Sequence, residues 1–296
     1  MPRVKANGIE IEYEEFGASQ EPPIVLIAGF GEQMGSVEFP SDFCEDLSRK
    51  RLRVVRFDNR DVGLSTHFTA SVSESSVAPY TVVDMSDDVV GLVAALGIDA
   101  THLVGASMGG YIARWMAIRH PARVRSLSLI MTGCGANRGT EAARRFSAPA
   151  PQALDRMMAK TRAADREAAV TAYVEAWRSY NGPRFPFDET WVRRCGEYSY
   201  DRSYDPSGVA RQFAAIVQSP DLLDAQEGIT CPTVVIHGDA DPLLGMDHAQ
   251  EIANRIPGAR LKSVAGMGHE MPRQAWPEFF GAILDIVRLS DREAPS

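Results

Sequence analysis

Ser107 stands in Gly105-Ala106-Ser107-Met108-Gly109, after a short apolar run (Leu103, Val104) and before a segment carrying Ile112, Trp115, Met116 and Ile118 at helical spacing. Strand, G-x-S-x-G, helix is the pattern of a tight turn that lifts a serine Oγ above a parallel sheet. The glycines flank the serine because neighbouring backbones there come too close for a Cβ. A serine hydroxyl is a weak nucleophile at neutral pH, so it needs a base, and the base needs an orienting acid. Six histidines are available. His269, in the glycine-rich loop Ala265–Glu270 after the last strand, is the candidate base. His102 and His120 flank the strand and helix around the serine and read as structural or solvated. His237 ends a strand and reads as turn packing, whereas His67 and His248 have no supporting context.

The acid is expected after the strand Pro232–Ile236, the first beyond a long helical stretch, where Ile236-His-Gly-Asp-Ala-Asp-Pro242 offers Asp239 and Asp241. Asp241 lies deeper in the loop and suits a carboxylate reaching across to His269. Asp239 is the alternative, and otherwise caps the turn through local backbone N–H groups. An anionic intermediate also needs two preorganised N–H donors. Met108 follows the serine directly, and Phe30, in Ala28-Gly29-Phe30-Gly31, is the second expected donor, with Gly31 next.

These side chains need a scaffold that presents them at one edge. Ile9–Tyr13 alternates with period two, as a half-solvated antiparallel edge strand does. Ile24–Ala28, Leu52–Phe57, Val124–Met131, Pro232–Ile236 and Arg260–Val264 read as strands, several of them continuous apolar runs buried on both faces. Helices are expected over Phe39–Arg49, Tyr80–Leu96, Met246–Arg255 and Trp276–Arg288. Alternation of this kind predicts an α/β architecture with a mostly parallel sheet covered on both faces. From Cys134 to Leu223 the rhythm breaks into alanine- and charge-rich helical text with no convincing strand. The expected organisation is a core of 1–133 and 224–296 with a helical lid, 134–223, over the carboxyl ends of the strands.

Composition narrows the function. The 296 residues carry a formal net charge of -8, which disfavours a nucleic-acid partner because phosphate is repelled. No apolar run reaches transmembrane length, and the first residues lack an apolar signal region. The four cysteines are far apart without metal-ligand spacing, so no metal is expected, and they fit a reducing cytoplasm. No cofactor is implied; the expected partner is a small-molecule ester, with the chain as monomer or homodimer.

Taken together, Ser107, Asp241 and His269 in that order resemble the nucleophile–acid–histidine order of α/β-hydrolase-fold serine esterases. Ala28-Gly29-Phe30 stands where many members carry His-Gly-X, a departure that leaves the backbone donor intact. Arg56-Phe-Asp-Asn-Arg-Asp-Val-Gly-Leu-Ser65 is similar to a loop of the bacterial subgroup that includes the aclacinomycin-type methyl esterases. Within it, Asp58 and Arg60 read as a structural pair that fixes the loop. The resemblance implies hydrolysis of carboxylic esters of small, largely apolar molecules through an acyl-enzyme. Carbon–carbon bond hydrolases, lactonases and cofactor-free perhydrolases use the same triad, and some non-catalytic ligand receptors keep it. The lid aromatics, Trp177 and Tyr180 among them, could line an apolar pocket, with Met34, Met108, Met131 and Met267 as a soft wall. The lid arginines, Arg144 and Arg145 included, read as a solvated face.

Overall fold

The computed structural model describes residues 2–69, 78–136, 140–159 and 163–293. Eight strands form one sheet in the order β1-β2-β4-β3-β5-β6-β7-β8: β1 (Arg3–Ala6), β2 (Ile9–Phe16), β3 (Pro23–Ile27), β4 (Arg53–Phe57), β5 (Thr101–Ala106), β6 (Val124–Ile130), β7 (Thr233–Gly238) and β8 (Arg260–Val264). β1 and β2 run antiparallel and β3 to β8 pair in parallel, so the sheet is mostly parallel as the alternation predicts. One expectation needs correcting. β2 is antiparallel but internal, because β1 covers its outer side and takes the edge position. Its period-two pattern reflects one solvated face and says nothing about whether the strand has a neighbour on each side.

The helices among the described residues are α1 (Ser41–Ser48), α2 (Val82–Ala95), α3 (Met108–Arg119), α4 (Pro151–Ala159), α5 (Arg166–Tyr180), α6 (Glu189–Arg202), α7 (Pro206–Gln218), α8 (Met246–Arg255) and α9 (Trp276–Glu293). Local chemistry sets several of their ends. Thr81 caps α2 with a reciprocal bond to Asp84, so the helix starts after Tyr80. The Asp165 carboxylate accepts from Ala168 N at the start of α5. Two apolar clusters hold the layers on either side of the sheet, one including α2 and α3, the other including α1 and α9. Between β6 and β7 the described residues contain α4 to α7 and no strand. A third cluster, with Val37, Tyr173, Trp177, Tyr180 and Leu243, packs this helical block onto core loops. The expected helical text crosses residues 160–162, which lie outside the described residues.

The strand order places the functional edge. The chain passes from β3 to β4 on one side and to β5 on the other, so the order reverses between β3 and β5. In open α/β sheets the crevice at such a switch, beyond the carboxyl ends of the strands, is where ligands bind.

Candidate active site

Ser107 is the single residue between β5 and α3, and its φ of +49° lies in the left-handed region that side chains rarely adopt. A Cβ on Gly105 would run into the backbone of Gly109, and one on Gly109 into the carbonyl oxygens of Ile27 and Ala28. Glycine at both positions is therefore a steric requirement of the turn. Two bonds hold the strained residue: Ser107 N donates to Ile130 O at 2.9 Å, and Thr132 Oγ1 donates to Ser107 O at 2.7 Å.

His269 follows β8, and its N–H donates to Tyr180 O at 2.9 Å, which ties the loop to the end of α5. Its Nε2 lies 3.1 Å from Ser107 Oγ and its Nδ1 2.7 Å from Asp241 Oδ2. An ionised carboxylate only accepts, so Nδ1 carries the hydrogen and Nε2 is left to accept from the serine. Asp241 is buried, and its other oxygen accepts from Leu243 N at 2.8 Å and Leu244 N at 2.9 Å. Burial alone pushes this carboxyl up. The charge of His269 and the hydrogen bonds from His237 and His269 outweigh that and hold it well below the usual carboxylate range. The structure thus brings Ser107, His269 and Asp241 into one hydrogen-bonded chain. Asp239 stands apart and accepts from Gly266 N at 2.6 Å, a turn-fixing contact.

His237 shares Asp241 with His269, and the remaining histidines bond elsewhere. His237 Nε2 donates to Leu244 O at 2.7 Å and also lies 3.4 Å from Asp241 Oδ2. His102 meets Ser126 Oγ at 2.8 Å, and burial pushes its pKa down to about 4. His248 bonds to Cys134 N and Ser147 O and stands at a cavity wall, a position its sequence context did not announce.

Met108 opens α3, where a backbone N–H has no carbonyl within its own helix to meet. Phe30 lies in the loop after β3, and both neighbouring N–H groups are committed. Gly29 N donates to Glu38 Oε2 at 2.5 Å, and Gly31 N to Gln212 Oε1 at 3.0 Å. Phe30 and Met108 join Ser107 and His269 in lining a cavity of about 490 Å³, within the range typical of small-molecule sites. Tyr111, Met157, Phe213 and Ile216 make much of its wall apolar. A second compartment of about 30 Å³ also touches Phe30, Ser107 and His269, and adds Glu32, Glu38, Trp177 and Tyr180.

Trp177 and Tyr180 line the second compartment together with Ser107, while also packing on the core. Met34 and Met267 do not line either compartment at the serine. Met34 is 3% exposed, and its N–H donates to Asp58 Oδ1 at 2.8 Å. Met267 is fully buried beneath the histidine loop in the cluster containing Phe185 and Trp276. Asp58 and Arg60 also depart from expectation, since they do not pair with each other. Asp58 meets Arg202 at 2.7 Å, and Arg60 grips Asp88 with two bonds of 2.6 Å. Both charges are buried where each needs a direct partner, and partners from α6 and α2 supply it. Glu32, Glu38, Met157 and Leu243 are site residues that sequence reasoning missed. The only signal was two acidic residues in the loop that follows the Phe30 turn.

Among the described residues one cluster has metal-ligand geometry, Asp61, His67 and Asp205. Arg211 lies 2.8 Å from Asp61 and 3.1 Å from Asp205, so a guanidinium already supplies the positive charge there.

A serine on a strained strand-to-helix turn, with a histidine and an acid from loops after later strands, defines a class. The chain belongs to the alpha/beta hydrolase fold family, whose model matches residues 22–272. It is 29% identical over 277 residues to rhodomycin D methylesterase of Streptomyces sp. (strain C5), covering 88% of each chain. The rhodomycin D methylesterase of Streptomyces peucetius is 28% identical over the same length and coverage. Among solved structures, the enol-lactonase from Burkholderia xenovorans LB400 aligns with a TM-score of 0.75 and 25% identity, over 97% of this chain and 100% of that one.

Proposed function

We propose that this protein hydrolyses carboxylic esters of largely apolar molecules, with Ser107 as nucleophile. The observation that carries the reading is the Asp241–His269–Ser107 chain opening into the apolar 490 Å³ cavity. Ser107 Oγ attacks the ester carbonyl as its proton passes to His269 Nε2. The N–H groups of Phe30 and Met108 hold the resulting oxyanion. His269 then gives the proton to the leaving alcohol, and Asp241 stabilises the imidazolium in between. Water, deprotonated by His269, attacks the acyl-serine and releases the acid. The two relatives named methylesterases support an ester substrate with a small alcohol, and the enol-lactonase neighbour keeps cyclic esters in the same reaction class. The helices between β6 and β7 serve in this reading as the lid that closes the cavity. No described helix is long and apolar enough to cross a membrane. The four unbridged cysteines support a reducing, cytoplasmic setting.

Ser107→Ala tests the reading. Hydrolysis of p-nitrophenyl butyrate is expected to fall by about 10⁵-fold or more, with the circular dichroism spectrum unchanged. Retained turnover at the wild-type rate would reject Ser107 as the nucleophile.

A further inference from the structure

The 30 Å³ compartment beside Ser107 differs in chemistry from the large cavity. Two buried acids face it, Glu32 at 2% and Glu38 at 3% exposure. Tyr173 Oη donates to Glu32 Oε2 at 2.7 Å, and Gly29 N donates to Glu38 Oε2 at 2.5 Å. A Cβ on Gly29 would touch both the Glu38 carboxylate and the Cβ of Ser107, so this acid stands beside the nucleophile. Two residues of the helical block, Trp177 and Tyr180, line the same compartment. Tyr180 Oη and Trp177 Nε1 are buried and have no hydrogen-bond partner among the described residues. Burial raises the pKa of the Tyr180 phenol, and the charges of Glu32 and Glu38 push it the same way.

Unmade bonds at buried donors are costly, so a group that completes them gains specificity from them. The missing partner must accept from Tyr180 or Trp177 and can donate to Glu32 or Glu38. A hydroxyl does both, whereas an alkyl group does neither and an ammonium offers no acceptor. The volume decides the size of the group: one water needs about 10–15 Å³ of such space, so 30 Å³ holds only a hydroxyl and the carbon bearing it.

We propose that this compartment recognises a hydroxyl on a carbon close to the scissile carbonyl, making the preferred substrates short-chain hydroxy-substituted esters with the bulk of the molecule in the large cavity. The proposal rests on the ester-hydrolase reading and names its substrate class. Glu32, Glu38, Trp177 and Tyr180 are specificity-determining groups in it, and none takes part in bond breaking.

The test compares isosteric pairs. On the acyl side, p-nitrophenyl glycolate is set against p-nitrophenyl propanoate; on the alcohol side, 2-hydroxyethyl 2-naphthoate against propyl 2-naphthoate. Each kcat/KM is divided by the alkaline hydrolysis rate of the same ester. At least one pair is expected to favour the hydroxyl member by about tenfold or more, and the pair that does so identifies the side. Tyr180→Phe, which removes only the unpartnered hydroxyl, should reduce that ratio about tenfold, and Glu32→Gln should reduce it as well. Equal normalised rates within both pairs would overturn the proposal, as would a preference unchanged in both variants. A larger preference for p-nitrophenyl glycinate that Glu32→Gln abolishes would replace it with a cation site. Loss of all turnover in Ser107→Ala, measured alongside, keeps a failure here separate from failure of the ester-hydrolase reading.

Discussion

The side chain of Asp241 divides its work between two oxygens. Oδ1 takes the N–H groups of Leu243 and Leu244, which fixes the carboxylate plane, and Oδ2 takes Nδ1 of His269. In Asp241→Asn the amide oxygen is best placed at the two backbone donors, leaving the NH₂ group to face His269. The histidine then accepts at Nδ1 and carries its hydrogen on Nε2, where it cannot take the serine proton. kcat for p-nitrophenyl butyrate is therefore expected to drop about 10⁴-fold with little change in melting temperature, read from initial rates and a thermal melt. A loss under tenfold would mean that His269 does not depend on Asp241 for its tautomer. The three residues were legible because their types are rare in that order and each falls in a loop after a strand. Depth was not legible, which is why Met34 and Met267 were expected at the wall. Loop position puts a residue near the sheet edge, but only the backbone path decides whether it faces the cavity or the core.

At the scale of elements, α3 does more than begin at the nucleophile. Arg114, on its buried face, is fully enclosed and bonds to Gly133 O at 2.6 Å, Cys134 O at 3.3 Å and Gln226 Oε1 at 2.7 Å. Residues 133–134 leave the sheet for the helical block and Gln226 lies on the way back, so one guanidinium ties both ends of that block to the helix that follows Ser107. Burial pushes its pKa down to about 10, which still leaves it charged at neutral pH. Arg114→Met keeps the length of the side chain but strands Gly133 O and the Gln226 amide oxygen, while Cys134 O keeps Gln226 Nε2 at 3.1 Å. A loss of about 3–5 kcal/mol is expected from urea unfolding, together with a raised KM as the cavity wall loosens. A change below 1 kcal/mol would show that the ends of the block are held by other contacts. Nothing in the sequence announced this role: Arg114 reads as an ordinary charge in a helix. The same limit explains Asp58 and Arg60, neighbours in sequence whose partners come from other helices. Strand and helix positions followed from apolar period and capping signals, whereas partners in tertiary space left no mark on local spacing.

Across the whole molecule, the helical block and the core are joined by buried polar contacts as well as by apolar packing. Arg202 reaches Asp58, Arg211 reaches Asp61, and the Glu270 carboxyl next to His269 accepts from Gly182 N at 2.8 Å. Glu270 is the titratable member of this seam. Burial raises its pKa from 4.5 to about 7, with the N–H groups of Gly182 and Gly268 working in the opposite direction. Between those two values the folded protein holds a proton that the unfolded chain has released. Stability supplied by this group is therefore complete below about pH 4.5, falls as pH rises through the interval, and is lost above about pH 7. The gap corresponds to about 3 kcal/mol as an upper bound. Glu270→Gln keeps an oxygen for Gly182 and cannot ionise, so its stability relative to wild type should grow from pH 5 to pH 8 by about 2–3 kcal/mol. Urea unfolding at each pH measures this difference directly, and a constant difference would show that Glu270 does not titrate in that range. The four tryptophans report on cooperativity in the same experiment, with Trp177 and Trp191 in the block and Trp115 and Trp276 in the core. Variants keeping only one pair should give coincident unfolding curves at pH 5, because the protonated seam holds both parts as one unit. If the block pair melts first even at pH 5, the seam does not couple the two parts, and the pH effect would then be confined to the histidine loop.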